Sequence, residues 1–81
     1  MEFDTDKIDE DVLALLYYTA FREKKGLPWR TWKGHDWDVM DRLSAKGYIS
    51  DPKSKAKSVV FSEEGYAKAK AMFEAKYAKK G

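Results

Sequence analysis

Cysteine is missing from the 81-residue sequence, and its absence excludes several kinds of chemistry at once. The chain has no disulfide bond, no thiolate nucleophile and no zinc site that depends on cysteine ligands. Because a protein without disulfides suits a reducing compartment, we expect it to reside in the cytoplasm.

The sequence also lacks a long hydrophobic run. No stretch reaches the roughly 20 apolar residues that a transmembrane helix needs, and the acidic opening, MEFDTDKIDED, does not resemble a secretory signal. We therefore expect no contact with a membrane. The chain is 43% hydrophobic, which is enough material for one small core. Residues 1–81 should form a single domain, with disordered ends at 1–5 and 79–81.

Motifs for catalysis and for metal binding are absent as well. The single histidine, His35, stands in HDWD beside Asp36 and Asp38. Acids at the start of a helix act more simply as caps than as a convergent ligand set. No phosphate-binding loop, nucleophile elbow or pair of facing carboxylates is recognisable. The sequence predicts a protein that is not an enzyme and that needs no metal or cofactor.

Charge is unevenly distributed along the chain. The formal net charge is +2, yet residues 1–21 contain six acids and one lysine, so this part carries −5 and the remainder +7. The basic remainder could bind a polyanion, or the whole could be a solvated surface whose acids favour the start of a helix.

The first apolar pattern predicts a helix from about residue 6 to residue 25. We expect its N-cap at Asp6 or Asp9 and its stop at Gly26. Leu13, Tyr17 and Ala20 should widen the buried face. The centre of that face is predicted from residues spaced three and four apart, namely Ile8, Val12, Leu15, Leu16 and Thr19.

Two further helices and a hairpin complete the prediction. A short strand or loop should follow the first helix, because Pro28 and Gly34 interrupt residues 27–36. The second helix is expected between the N-cap Asp36 and the stop Gly47, and the third begins after the N-cap Ser62. Between them, the turn SDPKSKAK and the β-branched stretch SVVFS predict a β-hairpin.

The predicted fold class is therefore α+β, with three main helices and a two- or three-stranded antiparallel β-hairpin. The core is expected to draw on Val12, Leu15, Leu16, Trp37, Met40, Leu43, Ile49, Val60, Phe73 and Tyr77.

Residues 41–73 resemble part of a known family. They carry L-x-x-K-G-Y-I at 43–49 and V-x-F-S-E-E-G at 59–65. In this they resemble the recognition-helix end, the wing and the following helix of MarR- and PadR-type winged-helix regulators. The resemblance implies a winged-helix fold, DNA binding and a role in transcription regulation.

The whole chain is also similar to a group of small uncharacterised bacterial proteins. The similarity rests on DTDKIDE at 4–10 and on WKG-x-DWD at 32–38. The group is a domain of unknown function, so the similarity implies a shared fold and no particular biochemistry.

The sequence departs from the winged-helix pattern in two places. Residues 27–36 leave no room for the helix that normally braces a recognition helix. The helix that would enter the DNA groove has three acids against Arg42 and Lys46, which is a poor surface to present to phosphates.

The candidate nucleic-acid-binding residues therefore lie mainly in the turn of the hairpin. Lys53, Lys55 and Lys57 alternate, so in an extended chain they would project to the same side. Arg42 and Lys46 are expected to assist. Such contacts bind the backbone of duplex DNA without reading its sequence. The alternative is that these lysines only keep an exposed hairpin tip solvated.

A second hypothesis is a protein-interaction module that keeps the winged-helix shape without binding nucleic acid. Its partner-binding residues would be Trp29 and Trp32 in WRTWK, unless both tryptophans are packed in the core. The module could also pair through its last helix. The partner would be another protein, or a second copy of the chain in a homodimer.

Overall fold

A computed structural model describes residues 2–79 and contains three helices and a two-stranded antiparallel sheet. This confirms the predicted α+β class. The disordered ends expected at 1–5 and 79–81 fall partly on residues 1, 80 and 81, which lie outside the described residues. In chain order the elements are α1 (Thr5–Tyr18), β1 (Arg30–Trp32), α2 (Trp37–Ala45), β2 (Ser58–Val60) and α3 (Glu63–Tyr77).

Helix α1 begins and ends earlier than the sequence predicts. Its N-cap is Asp4, not Asp6 or Asp9, and the Asp4 carboxylate accepts a hydrogen bond from the backbone N–H of Lys7 at 3.1 Å. The helix stops at Tyr18 rather than near Gly26. Only three residues later, Phe21 exchanges two backbone hydrogen bonds with Arg30, at 2.7 and 2.8 Å, and this pairing requires extended backbone.

The caps of the other two helices are confirmed. Asp36 accepts a hydrogen bond from the N–H of Val39 at 3.3 Å, and Ser62 accepts one from the N–H of Gly65 at 2.9 Å. Gly47 ends α2 with a φ of 81°, a left-handed conformation that favours glycine.

The sheet joins segments that lie on either side of α2 in the sequence. In β1 and β2, Arg30 is opposite Val60 and Trp32 is opposite Ser58. The first strand of the predicted hairpin is reduced to one bridge, between Ile49 and Phe61. Pro52 has no N–H with which to extend the pairing, and the chain turns away after residue 50.

The core lies where α1, α2 and α3 meet the sheet. The expected burial of Leu16, Met40, Leu43 and Ile49 is confirmed, and Val12, Val60 and Phe73 are half-buried. The expected burial of Leu15, Trp37 and Tyr77 is wrong, because they are 43%, 57% and 50% exposed. The buried hydrophobic cluster consists of Leu13, Leu16, Val39, Met40, Leu43, Ile49, Val59, Phe61 and Ala69.

Helix α1 faces the core through a stripe that differs from the predicted one. Asp9, Leu13 and Leu16 are buried and are spaced by four and three residues. The predicted stripe is centred one residue earlier, at Ile8, which is 40% exposed. One residue corresponds to about 100° of rotation about a helix axis. Because Leu16 belongs to both stripes and Leu13 was expected to widen the predicted one, the buried face is shifted toward Leu13 by less than this angle.

Gly65 lies where α3 passes closest to the chain that leaves α2. A β-carbon on Gly65 would overlap the carbonyl oxygen of Tyr48 and would lie 2.7 Å from its carbonyl carbon. The same oxygen accepts a hydrogen bond from the N–H of Ser62 at 3.0 Å, so the two segments are held together here. The sequence gives no reason for a glycine in the first turn of α3, whereas this close approach explains it.

We predict that Gly65→Ala lowers the free energy of unfolding by about 1–3 kcal/mol, because the added methyl group overlaps backbone atoms that cannot move independently. In an unobstructed helix the same change would stabilise by up to about 1 kcal/mol. Urea denaturation followed by circular dichroism measures the difference. Gly34→Ala is the control, since nothing lies within 4 Å of its added β-carbon. A stabilised Gly65→Ala variant would contradict the close approach.

Candidate nucleic-acid interface

The turn at residues 51–57 is held in shape by its own backbone and by a lysine from outside it. The Asp51 carboxylate accepts a hydrogen bond from the N–H of Lys53 at 2.9 Å. Lys33, which directly follows β1, donates from Nζ to the carbonyl oxygens of Pro52 and Ser54 at 2.7 and 2.6 Å. Pro52 itself is buried. The turn is therefore anchored to the sheet at its beginning.

The three predicted lysines of this turn are all exposed. Within residues 2–79, no carboxylate lies within 4.0 Å of the Nζ atoms of Lys53, Lys55 or Lys57. Their charges are thus available to an external anion. We refer to residues 51–57 as the basic turn.

Arg42 and Lys46, the other two predicted contacts, are bound to Asp9 of α1. Arg42 donates from Nε to Asp9 Oδ1 and Oδ2, at 3.0 and 2.8 Å, and from Nη2 to Oδ1 at 2.7 Å. Lys46 donates from Nζ to Asp9 Oδ2 at 3.1 Å and to Asp6 Oδ1 at 3.2 Å. Arg42 and Lys46 thus differ from the lysines of the basic turn, because their charges are already paired with carboxylates.

The environment of Asp9 favours its ionised form. Its side chain is 1% exposed, whereas those of Arg42 and Lys46 are 35% and 34% exposed. The hydrogen bonds from Arg42 lower the pKa of Asp9, against the opposing effect of burial, and Lys46 adds to the lowering. An external phosphate would have to displace this carboxylate before it could engage either cation.

Asp9 is a residue whose role the sequence reading missed. An acid near the start of a helix is usually a cap or a solvated charge, and this is the role that the sequence predicts for Asp9. Its spacing from Leu13 and Leu16 places it on the same face as these apolar residues. Arg42 and Lys46 are also four apart on α2. The spacing of Asp9 on the apolar face of α1 and the spacing of Arg42 and Lys46 are together the pattern from which a buried ion pair could have been predicted.

Most of the remaining cations in residues 2–79 also have partners. Lys68 donates to the Tyr48 hydroxyl at 3.0 Å, and the Arg22 guanidinium lies 4.7 Å from the centre of the Trp29 ring. Helix α3 forms an internal pair between Lys70 and Glu74 at 3.9 Å and a pair with α1 between Lys76 and Asp11. The basic turn is therefore one of two groups of three neighbouring exposed cations without a carboxylate partner in residues 2–79, and the other consists of Arg22, Lys24 and Lys25.

The outward face of α2 offers no cation in place of Arg42 and Lys46. Its exposed residues include Trp37, Asp38 and Ala45. This is the helix that corresponds to the recognition helix in the winged-helix resemblance. A face with a carboxylate and no basic residue repels phosphates.

The two tryptophans of the alternative hypothesis have different surroundings. Trp29 is half-buried and stacks on Tyr66, with ring centres 4.9 Å apart and an interplanar angle of 8°. Trp32 is 53% exposed and covers Phe21 at 5.0 Å. Trp29 is therefore packed inside the domain against Tyr66, whereas about half of the Trp32 side chain is exposed to solvent.

Comparisons with known proteins identify the family. A family model described as "Domain of unknown function (DUF6429)" matches residues 4–79. The chain belongs to this family. The DUF6429 chain is also 45% identical over 73 residues to "Uncharacterized protein y4hR" from Sinorhizobium fredii, which covers 90% of this chain and 92% of that protein. No solved structure matches it. The predicted similarity to small uncharacterised bacterial proteins is confirmed.

Two other features of this DUF6429 domain bear on possible ligands. Between residues 2 and 79, no helix is both long and apolar enough to cross a bilayer. In the same residues, no three acidic or histidine side chains come together as a metal site would require.

We predict that Asp9→Asn lowers the free energy of unfolding by about 1–3 kcal/mol at pH 7. The loss should be smaller than the roughly 3–5 kcal/mol typical of a broken buried pair, because Arg42 and Lys46 keep about a third of their surface in water. Asp11→Asn is the matched control on the same helix. It removes a half-exposed pair with Lys76 and should cost about 0–1 kcal/mol.

The difference between wild type and Asp9→Asn should depend on pH. The pKa of Asp9 is lower in the folded chain than in the unfolded chain. Its contribution is therefore fully present above about pH 4, the ordinary pKa of aspartate, and is lost as the pH falls through the lower folded value. Denaturation at several pH values from neutral to acidic tests this. A difference that stays constant across that range would contradict the buried ion pair.

Proposed function

We propose that this protein is a non-catalytic, winged-helix-like module that contacts the phosphate backbone of duplex DNA through Lys53, Lys55 and Lys57, in a regulatory role. One observation carries the proposal. These lysines are three exposed cations within five residues, and none of them has a carboxylate partner in residues 2–79. They lie on a turn whose start is fixed to the sheet by Lys33.

The arrangement of the strands supports the winged-helix part of the proposal. Strand β1, which follows α1, pairs with β2, and Ile49 meets the end of this strand through its bridge to Phe61. Three extended segments thus lie side by side, with the β2 segment in the middle and α3 directly after it. The basic turn connects the second and third of these segments in the sequence, which is where a wing lies.

The proposed mode of binding is limited to the DNA backbone. Residues 27–36 contain β1 and no bracing helix, and the outward face of α2 carries Asp38 and no basic residue. Base reading through α2 would need basic or amide side chains that this face does not have. Because Arg42 and Lys46 are paired with Asp9 and Asp6, the proposal assigns them no direct contact with phosphate. The binding should be weak, independent of sequence and strongly dependent on salt.

A second candidate function is protein binding through exposed aromatic residues. Trp32 and Trp37 are 53% and 57% exposed, and large exposed aromatic rings are typical anchors of protein interfaces. This candidate requires an interaction that changes little with salt and that does not need the basic turn.

We predict that the protein binds random-sequence duplex DNA with a log–log salt slope of about −2 to −3, since each contacted phosphate contributes about −0.9. Fluorescence anisotropy of labelled duplex at several salt concentrations measures the slope. The variant with Lys53→Gln, Lys55→Gln and Lys57→Gln should lose most of the affinity.

The matched control carries Lys7→Gln, Lys24→Gln and Lys25→Gln, which removes the same charge from exposed lysines elsewhere. This control should retain a similar slope and lose only the general attraction of the net charge. Equal losses in the two triple variants would contradict a specific role for the basic turn. Absence of binding at about 50 mM salt with tens of micromolar protein would overturn the DNA proposal and favour the second candidate.

A further inference from the structure

Helix α1 has a second apolar stripe that the described residues cover only in part. Ile8, Leu15 and Tyr18 are 40%, 43% and 74% exposed, although their spacing is that of a buried helical face. The opposite stripe, with Leu13 and Leu16, already faces the core. Helix α1 is therefore apolar on two sides, and within residues 2–79 only the stripe with Leu13 and Leu16 is fully buried.

Helix α3 extends the uncovered stripe into a continuous surface. The rings of Phe73 and Tyr18 are stacked with centres 5.7 Å apart, and Tyr77 follows Phe73 at 5.0 Å. Leu15, Tyr18, Phe73 and Tyr77 line a shallow groove of about 300 Å³ with apolar walls. We call this surface the α1/α3 face. Single exposed apolar residues are ordinary, whereas a contiguous apolar surface marks an interaction site.

The charges along α1 are self-complementary. Near the start of α1, Glu2, Asp4 and Glu10 are exposed acids without a salt-bridge partner in residues 2–79, because Asp9 is buried and Asp6 and Asp11 are paired with lysines, whereas the exposed Lys24 and Lys25 follow the end of the helix. If two copies of α1 lie antiparallel, the acidic end of each meets the basic end of the other. A parallel arrangement would bring the like charges together and is disfavoured.

We infer that the α1/α3 face binds a second copy of this chain in a two-fold symmetric dimer, with the axis near Leu15 and the two α1 helices antiparallel. A two-fold interface uses the same patch on both subunits, so it must be complementary to itself. The apolar centre and the opposite charges at the two ends of α1 meet this requirement. This inference is independent of the proposed DNA contact, which uses another surface.

The available area suits a dimer of moderate strength. A typical interface takes about a tenth of a small protein's surface, which is about 600 Å² per subunit for a surface of 5984 Å². Tyr18 and Tyr77 supply about 250 Å² of this, since a tyrosine offers about 200 Å² and the two are 74% and 50% exposed. Leu15, Phe73 and Ile8 add to the apolar centre.

Sedimentation equilibrium of the full chain tests the inference. The wild type should shift from the monomer mass toward twice that mass as its concentration rises through the micromolar range. Tyr18→Glu should raise the dimer dissociation constant at least about tenfold, because it removes a large aromatic contact and places like charges near the axis. Ala45→Glu, which places the same negative charge on the exposed surface of α2, is the matched control and should leave dimerisation unchanged.

Cross-linking tests the position of the axis in a chain that has no cysteine of its own. Leu15→Cys should form a disulfide-linked dimer under mild oxidation, because residues next to a two-fold axis approach their own copies to disulfide distance. Ala45→Cys, exposed on α2, should not. Circular dichroism and thermal melting of each variant separate a lost interface from a lost fold.

Three outcomes would overturn the inference. The first is a wild type that stays monomeric at all concentrations. The second is a dimer that persists unchanged in Tyr18→Glu, which would place the interface elsewhere. The third is a monomer that binds a different protein in a Tyr18-dependent manner, which would assign the α1/α3 face to a heterologous partner.

Discussion

The ion pair network of Asp9 determines how the helices of this domain are set against each other. A carboxylate that is 1% exposed must have partners, and Arg42 and Lys46 of α2 supply four of its hydrogen bonds. This fixes the rotation of α1 about its own axis. Once Asp9 faces α2, Leu13 and Leu16 must face the core, and the stripe with Ile8 and Leu15 must face away from it.

The same network divides the basic residues into two groups. Arg42 and Lys46 pair with the buried Asp9 within the monomer. The lysines of the basic turn have no carboxylate partner in residues 2–79. A count of charges along the sequence cannot make this division, because it depends on which carboxylates each cation meets in space. Of the five residues predicted to contact DNA, this division leaves Lys53, Lys55 and Lys57 for the proposed contact. It also accounts for an α2 surface that is acidic outside and basic only toward α1.

Small size explains why an apolar face remains uncovered. A domain of 81 residues with one two-stranded sheet has few elements with which to cover a helix on both sides. Where two elements do meet, they pack closely. At Gly65, for example, the absence of a β-carbon lets α3 approach the backbone of Tyr48. The α1/α3 face lies outside these contacts, and the proposed dimer would cover it.

The sequence by itself determined the α+β class, the three helices, the caps Asp36 and Ser62 and the stop at Gly47, because these depend on residues close together in the chain. It also determined the exposure of the turn lysines, since charged side chains in a polar turn stay in water unless they are paired. Only the tertiary structure decided which face of α1 is buried, that β2 pairs with β1 rather than with a full hairpin strand, and that Arg42 and Lys46 are engaged. The physical reason is the same in each case. The residues that interact in each of these features are far apart in sequence. For α1, helical periodicity alone does not show which of two apolar stripes is buried, because the burial of Asp9 on one of them depends on its partners in α2.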